Sequence, residues 1–317
     1  MPEKNDSCCF RTSIGGQALI EGILMRGPKK QAIVCRTADG LVEKTEELKF
    51  IKDKYPVLGF PFIRGCAVFL SSLVNGMQAL TYSAGLVPIE EQGEPDKLDK
   101  WIEDHFPAEK AQKLIIGTAV VLGVALALLL FIFLPTFIVG LIKPLTQSFL
   151  VRNLSEGALK VVILLIYMGL CTRVSDVKRL FSYHGAEHKT IFCYEHGKDL
   201  TVENARTESR FHPRCGTSFL LVVIVVSILV NSCVSLSNSF ARMGVHLLLL
   251  PLVVGISYEI NRWCGKHDNF FSRILSAPGK WLQRITTNEP DDSMLECAIR
   301  ALELVIPEEK GSDLWGE

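Results

Sequence analysis

The stretch from Leu114 to Leu134 is an uninterrupted apolar run of about 21 residues, and few folds accept such a run. At about 1.5 Å of rise per residue, a helix of this length covers the roughly 30 Å hydrocarbon core of a bilayer. Core helices of soluble proteins rarely look like this. Pro135 follows and Thr136 to Ile142 prolongs the segment, with a kink expected at the proline. Three more apolar stretches bring the expected count to about four spans. They are Ala158 to Cys171, with Lys160 snorkelling at one end, Ser218 to Val230 with its continuation to Leu236, and Val245 to Ile260. From 60 to 84 the pattern changes: Arg64, Ser71, Asn75, Gln78 and Tyr82 recur every three, four or seven positions, opposite Phe62, Phe69, Leu70, Leu73, Val74 and Met77. That predicts an amphipathic helix, in the interface or packed on the bundle, with a further span as the alternative.

Composition agrees with a membrane bundle. Hydrophobic residues make up 48% and mean hydropathy is +0.27, while the charged 21% gathers at the ends and in one central loop. Net charge is zero, so nucleic acid is not an expected partner and the lipid bilayer is. The N-terminus, Met1 to Ser13, is polar and lacks the apolar core of a signal peptide. The 10 cysteines follow no framework spacing and read as free thiols in a reducing compartment.

Lys and Arg orient the spans. The connection Arg173 to Gly216 carries Arg173, Lys178, Arg179, Lys189, Lys198, Arg206, Arg210 and Arg214, whereas Lys143 to Gly157 carries Lys143 and Arg152, and Ser237 to Gly244 carries Arg242. With four spans, the N-terminus, the central loop and the C-terminus share the basic, cytoplasmic face. Carboxylates and histidines are sparse within the spans, which argues against an ion-transport path.

Residues 1–59 form a glycine-rich segment and a β-hairpin. Gly15-Gly16-Gln17 to Gly27-Pro28 lacks the Lys-Ser/Thr of a P-loop, and Gln31 to Thr37 and Leu41 to Thr45 alternate around Ala38-Asp39-Gly40. Residues 60–84 are the amphipathic helix, 114–260 the transmembrane bundle with the central loop 173–217, and 261–317 a mostly soluble helical tail. In that tail Ser293 with Glu296 fits a capping box ahead of Leu295, Ala298, Leu302 and Val305. The fold class is thus mainly α, an integral membrane helical bundle.

Four of the 7 histidines lie between Phe181 and Thr217. His184 and His188, four residues apart, share one helix face and can reach one point. His184-Gly-Ala-Glu187-His188 has the order of the inverted zincin motif, in which the histidines hold zinc and the glutamate takes a proton from bound water. His212-Pro213-Arg214-Cys215-Gly216 resembles half a zinc knuckle and offers two more ligands. Predicted metal ligands are therefore His184, His188, His212 and Cys215, with Glu187 catalytic. Four protein ligands close a structural site, and three leave a place for water. Soft Cys with His favours zinc, and iron or manganese fits a three-ligand version. Candidate supporting residues are Glu259, which faces the site or pairs with Arg262, together with Tyr183, Lys189, Arg214 and Glu21.

These clusters, the glycine-rich start, Gly255-Ile-Ser-Tyr258-Glu259 and Thr286-Thr287-Asn-Glu289-Pro290-Asp291-Asp292 together resemble the YqhQ family, from about Gly15 to Leu302. The resemblance implies an uncharacterised group of bacterial multi-pass inner-membrane proteins described as predicted metal-dependent enzymes. The resulting expectation is a zinc-dependent membrane hydrolase at the cytoplasmic face acting on a membrane-associated substrate. The alternative is a non-catalytic scaffold or assembly factor with structural zinc and a protein partner.

Overall fold

The computed structural model describes residues 10–48, 55–86, 101, 105, 108–141, 148–234, 236, 238–267, 269–309 and 311–315. Four strands come first: β1 Gly15–Leu19, β2 Gly22–Arg26, β3 Lys30–Thr37 and β4 Gly40–Glu47, antiparallel and in sequence order. The expected hairpin is β3 and β4, closing at Thr37 and Gly40, where φ of 121° suits glycine. The glycine-rich segment ahead of it adds two strands that alternation alone does not signal, because glycine carries no side chain to alternate. Its glycines serve close approach: a Cβ at Gly22 would lie 2.6 Å from the Val34 carbonyl oxygen.

Helices follow as α1 Ile63–Ala84, α2 Ala108–Leu128, α3 Leu134–Leu141, α4 Phe149–Cys171, α5 Ser175–Glu195, α6 Val202–Arg206, α7 Gly216–Ser232, α8 Ser239–Lys266, α9 Phe270–Thr286 and α10 Asp292–Glu303. Three helical stretches are long and apolar enough to cross a membrane: Leu114–Leu141, Leu150–Cys171 and Phe240–Lys266. The chain therefore has the make-up of a membrane protein, while α7, also apolar, is shorter at 17 residues. A π turn, Leu129–Phe133, joins α2 to α3 just ahead of Pro135, which has no N–H to give the carbonyl four residues earlier in an ordinary α turn. The second and third stretches begin earlier than predicted. Arg152 and Arg242, assigned to loops by sequence, lie inside α4 and α8 with their side chains buried.

The chain divides into two compact units. The first takes the described residues of Met1–Val87, Ile166–Val226 and Pro251–Glu317. Its core joins Ile23, Met25 and Val34 of the sheet to Tyr183, Ala186 and Ile191 of α5 and to Leu295, Ala298, Leu302 and Val305 around α10. The cap of α10 is Asp291, not Ser293: its side chain accepts from Met294 N at 2.9 Å, because the helix starts ahead of Ser293. Glu296 instead pairs with Arg36 at 2.7 Å.

In the same unit α1 buries a face of small residues, Gly65, Gly76, Ala79 and Ser83, and turns Leu70, Leu73, Val74 and Met77 outward. Gly65 packs on Tyr258, where a Cβ would stand 2.8 Å from the tyrosine Cβ. The tail is less soluble in character than predicted, since α9 exposes Phe270, Phe271, Ile274, Leu275 and Trp281. The second unit takes the described residues of Pro88–Leu165 and Ser227–Leu250. It is helical, and its buried side chains include Thr136, Asn153, Glu156, Lys160 and His246.

Candidate metal centre

Helix α5 supplies two donors and the turn ahead of α7 a third. The i to i+4 spacing brings the His184 and His188 rings edge to face with centroids 4.4 Å apart. Cys215 meets them there, so that one ligand atom from each of the three residues lies within 4.8 Å of the others. Tetrahedral zinc, with bonds of about 2.0 Å to nitrogen and 2.3 Å to sulfur, needs N···S separations of about 3.5 Å. His184 Nε2 stands 3.1 Å from Cys215 Sγ, close to that value.

Backbone carbonyls set both ring orientations. His184 Nδ1 lies 2.8 Å from the Thr286 oxygen and His188 Nδ1 2.6 Å from the Arg210 oxygen. A carbonyl only accepts, so each Nδ1 donates and each Nε2 is left for the cluster. His188 Nε2 is buried and makes no hydrogen bond. A buried ring nitrogen without a partner is costly, and a coordinated ion would satisfy it. The three donors thus fit a metal of zinc type.

Charge in the cluster favours the ligand form of the thiol. Burial pushes Cys215 up, but His184 and His188 beside it hold it well below the ordinary thiol range. Burial pushes His184 down, and the neighbouring Cys215 outweighs this, raising it to about 9. Glu187 is pushed up by burial, with His184 and His188 opposing. Its Oε1 accepts from Gly16 N at 3.0 Å. Strand β1 comes this close because residue 16 is glycine: a Cβ there would sit 3.0 Å from the Glu187 carboxyl carbon and 2.7 Å from the Leu24 oxygen.

His212, the remaining predicted ligand, lies beside the cluster with its ring turned elsewhere. Its Nδ1 accepts from Arg214 N at 3.3 Å, and its Nε2 faces Glu195 at 3.4 Å. Gln283 clamps its backbone, accepting from His212 N and donating to His212 O, each at 2.8 Å. Burial lowers the imidazole to about 4, so it stays neutral. The reason for this placement is Glu195, fully buried at the end of α5, which recruits His212, Arg214 and the Thr12 N–H as donors.

The supporting candidates brace the site. Tyr183 donates to Glu21 at 3.3 Å, and Glu21 also holds the Arg179 guanidinium by both oxygens. Glu21 does so with φ of 49°, a left-handed backbone uncommon outside glycine. Lys189 is buried and donates to the carbonyls of Arg206 at 3.0 Å and Glu208 at 2.8 Å, while pairing with Glu289 at 3.0 Å. Glu259 takes a two-pronged contact from Arg64 of α1, at 2.7 and 2.5 Å, in place of the expected Arg262 pair. The stacking of α1 on α8 brings that partner from a distant part of the sequence.

Several site residues escape the motif reading. Glu195 lies seven positions after His188, on the same stripe of α5, and that periodicity is its only sequence signal. Gly185 is the contact point for residues 286–290, since a Cβ there would stand 2.0 Å from the Asn288 oxygen. Asn288 completes the seam, its N donating to Phe181 O at 2.9 Å and its Nδ2 to Lys178 O at 3.1 Å. The Thr-Thr-Asn-Glu-Pro stretch therefore delivers the carbonyl that orients His184.

A protein of Bacillus subtilis (strain 168), described as "Uncharacterized protein YqhQ", is 33% identical over 297 residues, which is 90% of this chain and 90% of that one. No solved structure matches. The pattern of the family described as "Protein of unknown function (DUF1385)" matches residues 60–308, so the chain belongs to that family.

Proposed function

We propose that this chain is a membrane-embedded, zinc-dependent hydrolase whose ion is held by His184, His188 and Cys215. The observation that carries the reading is the convergence of these three donors, with both Nδ1 atoms tied to carbonyls and His188 Nε2 left bare. His184, His188 and Cys215 would hold the ion and leave one position for water, and a zinc bound there would lower that water's pKa to about 7 and polarise a carbonyl or phosphoryl oxygen. Glu187 holds and passes the proton: burial raises its proton affinity, and Gly16 N–H pins one carboxylate oxygen. His212, Glu195 and Arg214 keep the turn that presents Cys215 in place. Iron or manganese would satisfy the same geometry, though the thiolate favours zinc.

One observation supports the structural alternative. The cluster gathers α5, the turn before α7 and the end of α9, with β1 touching Glu187, so an ion there would pin these segments together.

The topology proposed is four spans with both termini cytoplasmic, in a bacterial inner membrane. Sheet, α5 and α10 share one core and so lie on one side. Two apolar helical stretches separate the sheet from α5, and α7 and α8 separate α5 from α10. If α8 crosses, α7 must cross with it, and its 17 residues reach about 25 Å, the lower limit for a span. The basic residues of 173–216 make that side cytoplasmic. The outward apolar faces of α1 and α9, with Arg273, Lys280 and Arg284 beside the latter, suit the interface, so a membrane-associated substrate is the one within reach.

Metal analysis tests the ligands: about one zinc per chain is expected for wild type, and His188→Ala and Cys215→Ala should each lose most of it. Equal content in all three sinks the centre. Cobalt substitution then tests openness. An open site changes its visible spectrum when azide is added, whereas an unchanged spectrum assigns the ion a structural role.

A further inference from the structure

We infer that α9 docks in the plane of an anionic bilayer surface and that this docking holds the metal centre in its binding geometry, so that anionic lipid tightens the grip on the ion. The inference rests on the metal reading given above and adds what regulates that site. Helix α9 carries three different stripes, each built from residues three, four or seven positions apart. Phe270, Ile274 and Trp281, with Phe271 and Leu275 beside them, are exposed and apolar. Arg273, Lys280 and Arg284 are exposed and basic. Ser272, Gly279, Gln283 and Thr286 are buried.

Charge and position name the occupant. The 17 residues of α9 include no acidic side chain. A basic stripe beside an aromatic and aliphatic one suits the boundary between headgroups and acyl chains, where anionic lipid attracts the cations. The stretch Phe240–Lys266, long and apolar enough to cross a membrane, ends four positions before Phe270. Helix α9 thus begins where that stretch would leave the lipid. Asn269 fixes this start: its side chain accepts from Ser272 N at 2.9 Å, and Ser272 Oγ accepts from Asn269 N at 3.0 Å. An exposed apolar face of this size marks a contact surface, and at that level lipid is what covers it.

The buried stripe is the outer wall of the metal centre. Thr286 O accepts from His184 Nδ1 at 2.8 Å, and Gln283 clamps His212 N and His212 O, each at 2.8 Å. Gly279 lies so close to the turn after Cys215 that a Cβ there would stand 2.5 Å from Ser218 Cα, and Ser218 N donates to Cys215 O at 3.0 Å. One helix therefore offers lipid its apolar and basic sides while its third side orients a ligand imidazole and props the turn that carries the thiol. Seating α9 on the surface keeps these contacts in register. Lipid and ion are then linked, and each strengthens the other by the same factor.

The test uses the whole protein in nanodiscs of phosphatidylcholine, alone or mixed with phosphatidylglycerol. Zinc affinity, read by competition with a chelator, should be about fivefold or more tighter in the anionic disc. Raising salt to about 1 M should erase the difference between the discs. Lys280→Gln combined with Arg284→Gln should lose the difference, and Lys280→Arg combined with Arg284→Lys should keep it. Brominated lipid should quench a share of the tryptophan emission that Trp281→Phe removes, and zinc should deepen that quenching. Trp281 emission untouched by brominated lipid overturns the docking and leaves the face to a protein partner. Equal zinc affinity in the two discs, with Trp281 quenched, overturns the coupling while the metal centre stands. No zinc in either disc removes the metal centre itself, and this inference with it. The lipid and salt comparisons use wild-type protein, so they decide the matter even where a variant fails to fold.

Discussion

Around α5, buried charge is matched where it stands. Arg214 lies on Glu195, Lys189 on two carbonyls and Glu289, and Glu187 on a backbone N–H beside two imidazoles. Around α4 and α8 one carboxylate gathers several side chains, with Lys160, Arg242 and His246 all meeting Glu156. The first region closes its own accounts through turns, caps and a sheet that place donors individually. The second is built from apolar helices whose backbones are already paired, so its side chains alone must provide balance. A carboxylate inside a helical bundle therefore draws its partners from side chains on several helices, where the α5 region also uses carbonyls and backbone N–H groups.

Four substitutions test this contrast, in falling order of effect. Glu195→Ala leaves Arg214 and His212 facing an empty buried position, and about 3–5 kcal/mol of stability should go, read from denaturant unfolding in detergent. A loss under about 1 kcal/mol would mean that the α5 region is not locally matched. Gly185→Ala forces a methyl group against the Asn288 carbonyl and should cost about 3 kcal/mol, with residues 287–291 becoming sensitive to protease. Unchanged protease resistance would remove the seam from the argument. Thr136→Val deletes one of several donors to Glu156 and should cost only about 0.6–1 kcal/mol, because Lys160, Arg242 and His246 remain. A loss as large as that of Glu195→Ala would make the two regions alike. Arg206→Ala breaks an exposed pair with Asp292 and should stay within about 0.5 kcal/mol in the same assay.

What could be read from the chain followed the range over which each signal acts. The run from Leu114, the His184 and His188 pair and the β3 to β4 hairpin depend on neighbours a few residues apart, and all three stand in the structure. Strands β1 and β2 were hidden by glycine, and α9 by the charges that flank its aromatic face. His212 drew attention as a ligand because a His-Pro-Arg-Cys run looks like half a knuckle, while Glu195, its actual contact, carried no motif. The Glu156 cluster was least legible. Arg152 and Arg242 are separated by some ninety positions in sequence, and each looked like an ordinary loop cation until folding buried them together.

The two ends of the described chain are stitched together: Ser13 N donates to Asp313 O at 2.5 Å and Trp315 N to Arg11 O at 2.9 Å, while Thr12 N reaches Glu195. Residues 11–13 thus wait for residues 313–315, made some three hundred positions later. During synthesis the apolar helices leave the ribosome and can enter the lipid before the end of α9 and 311–315 exist, so the Thr286 carbonyl that orients His184 arrives only after insertion. Newly made chains should therefore pass through a stage already anchored but still blind to metal.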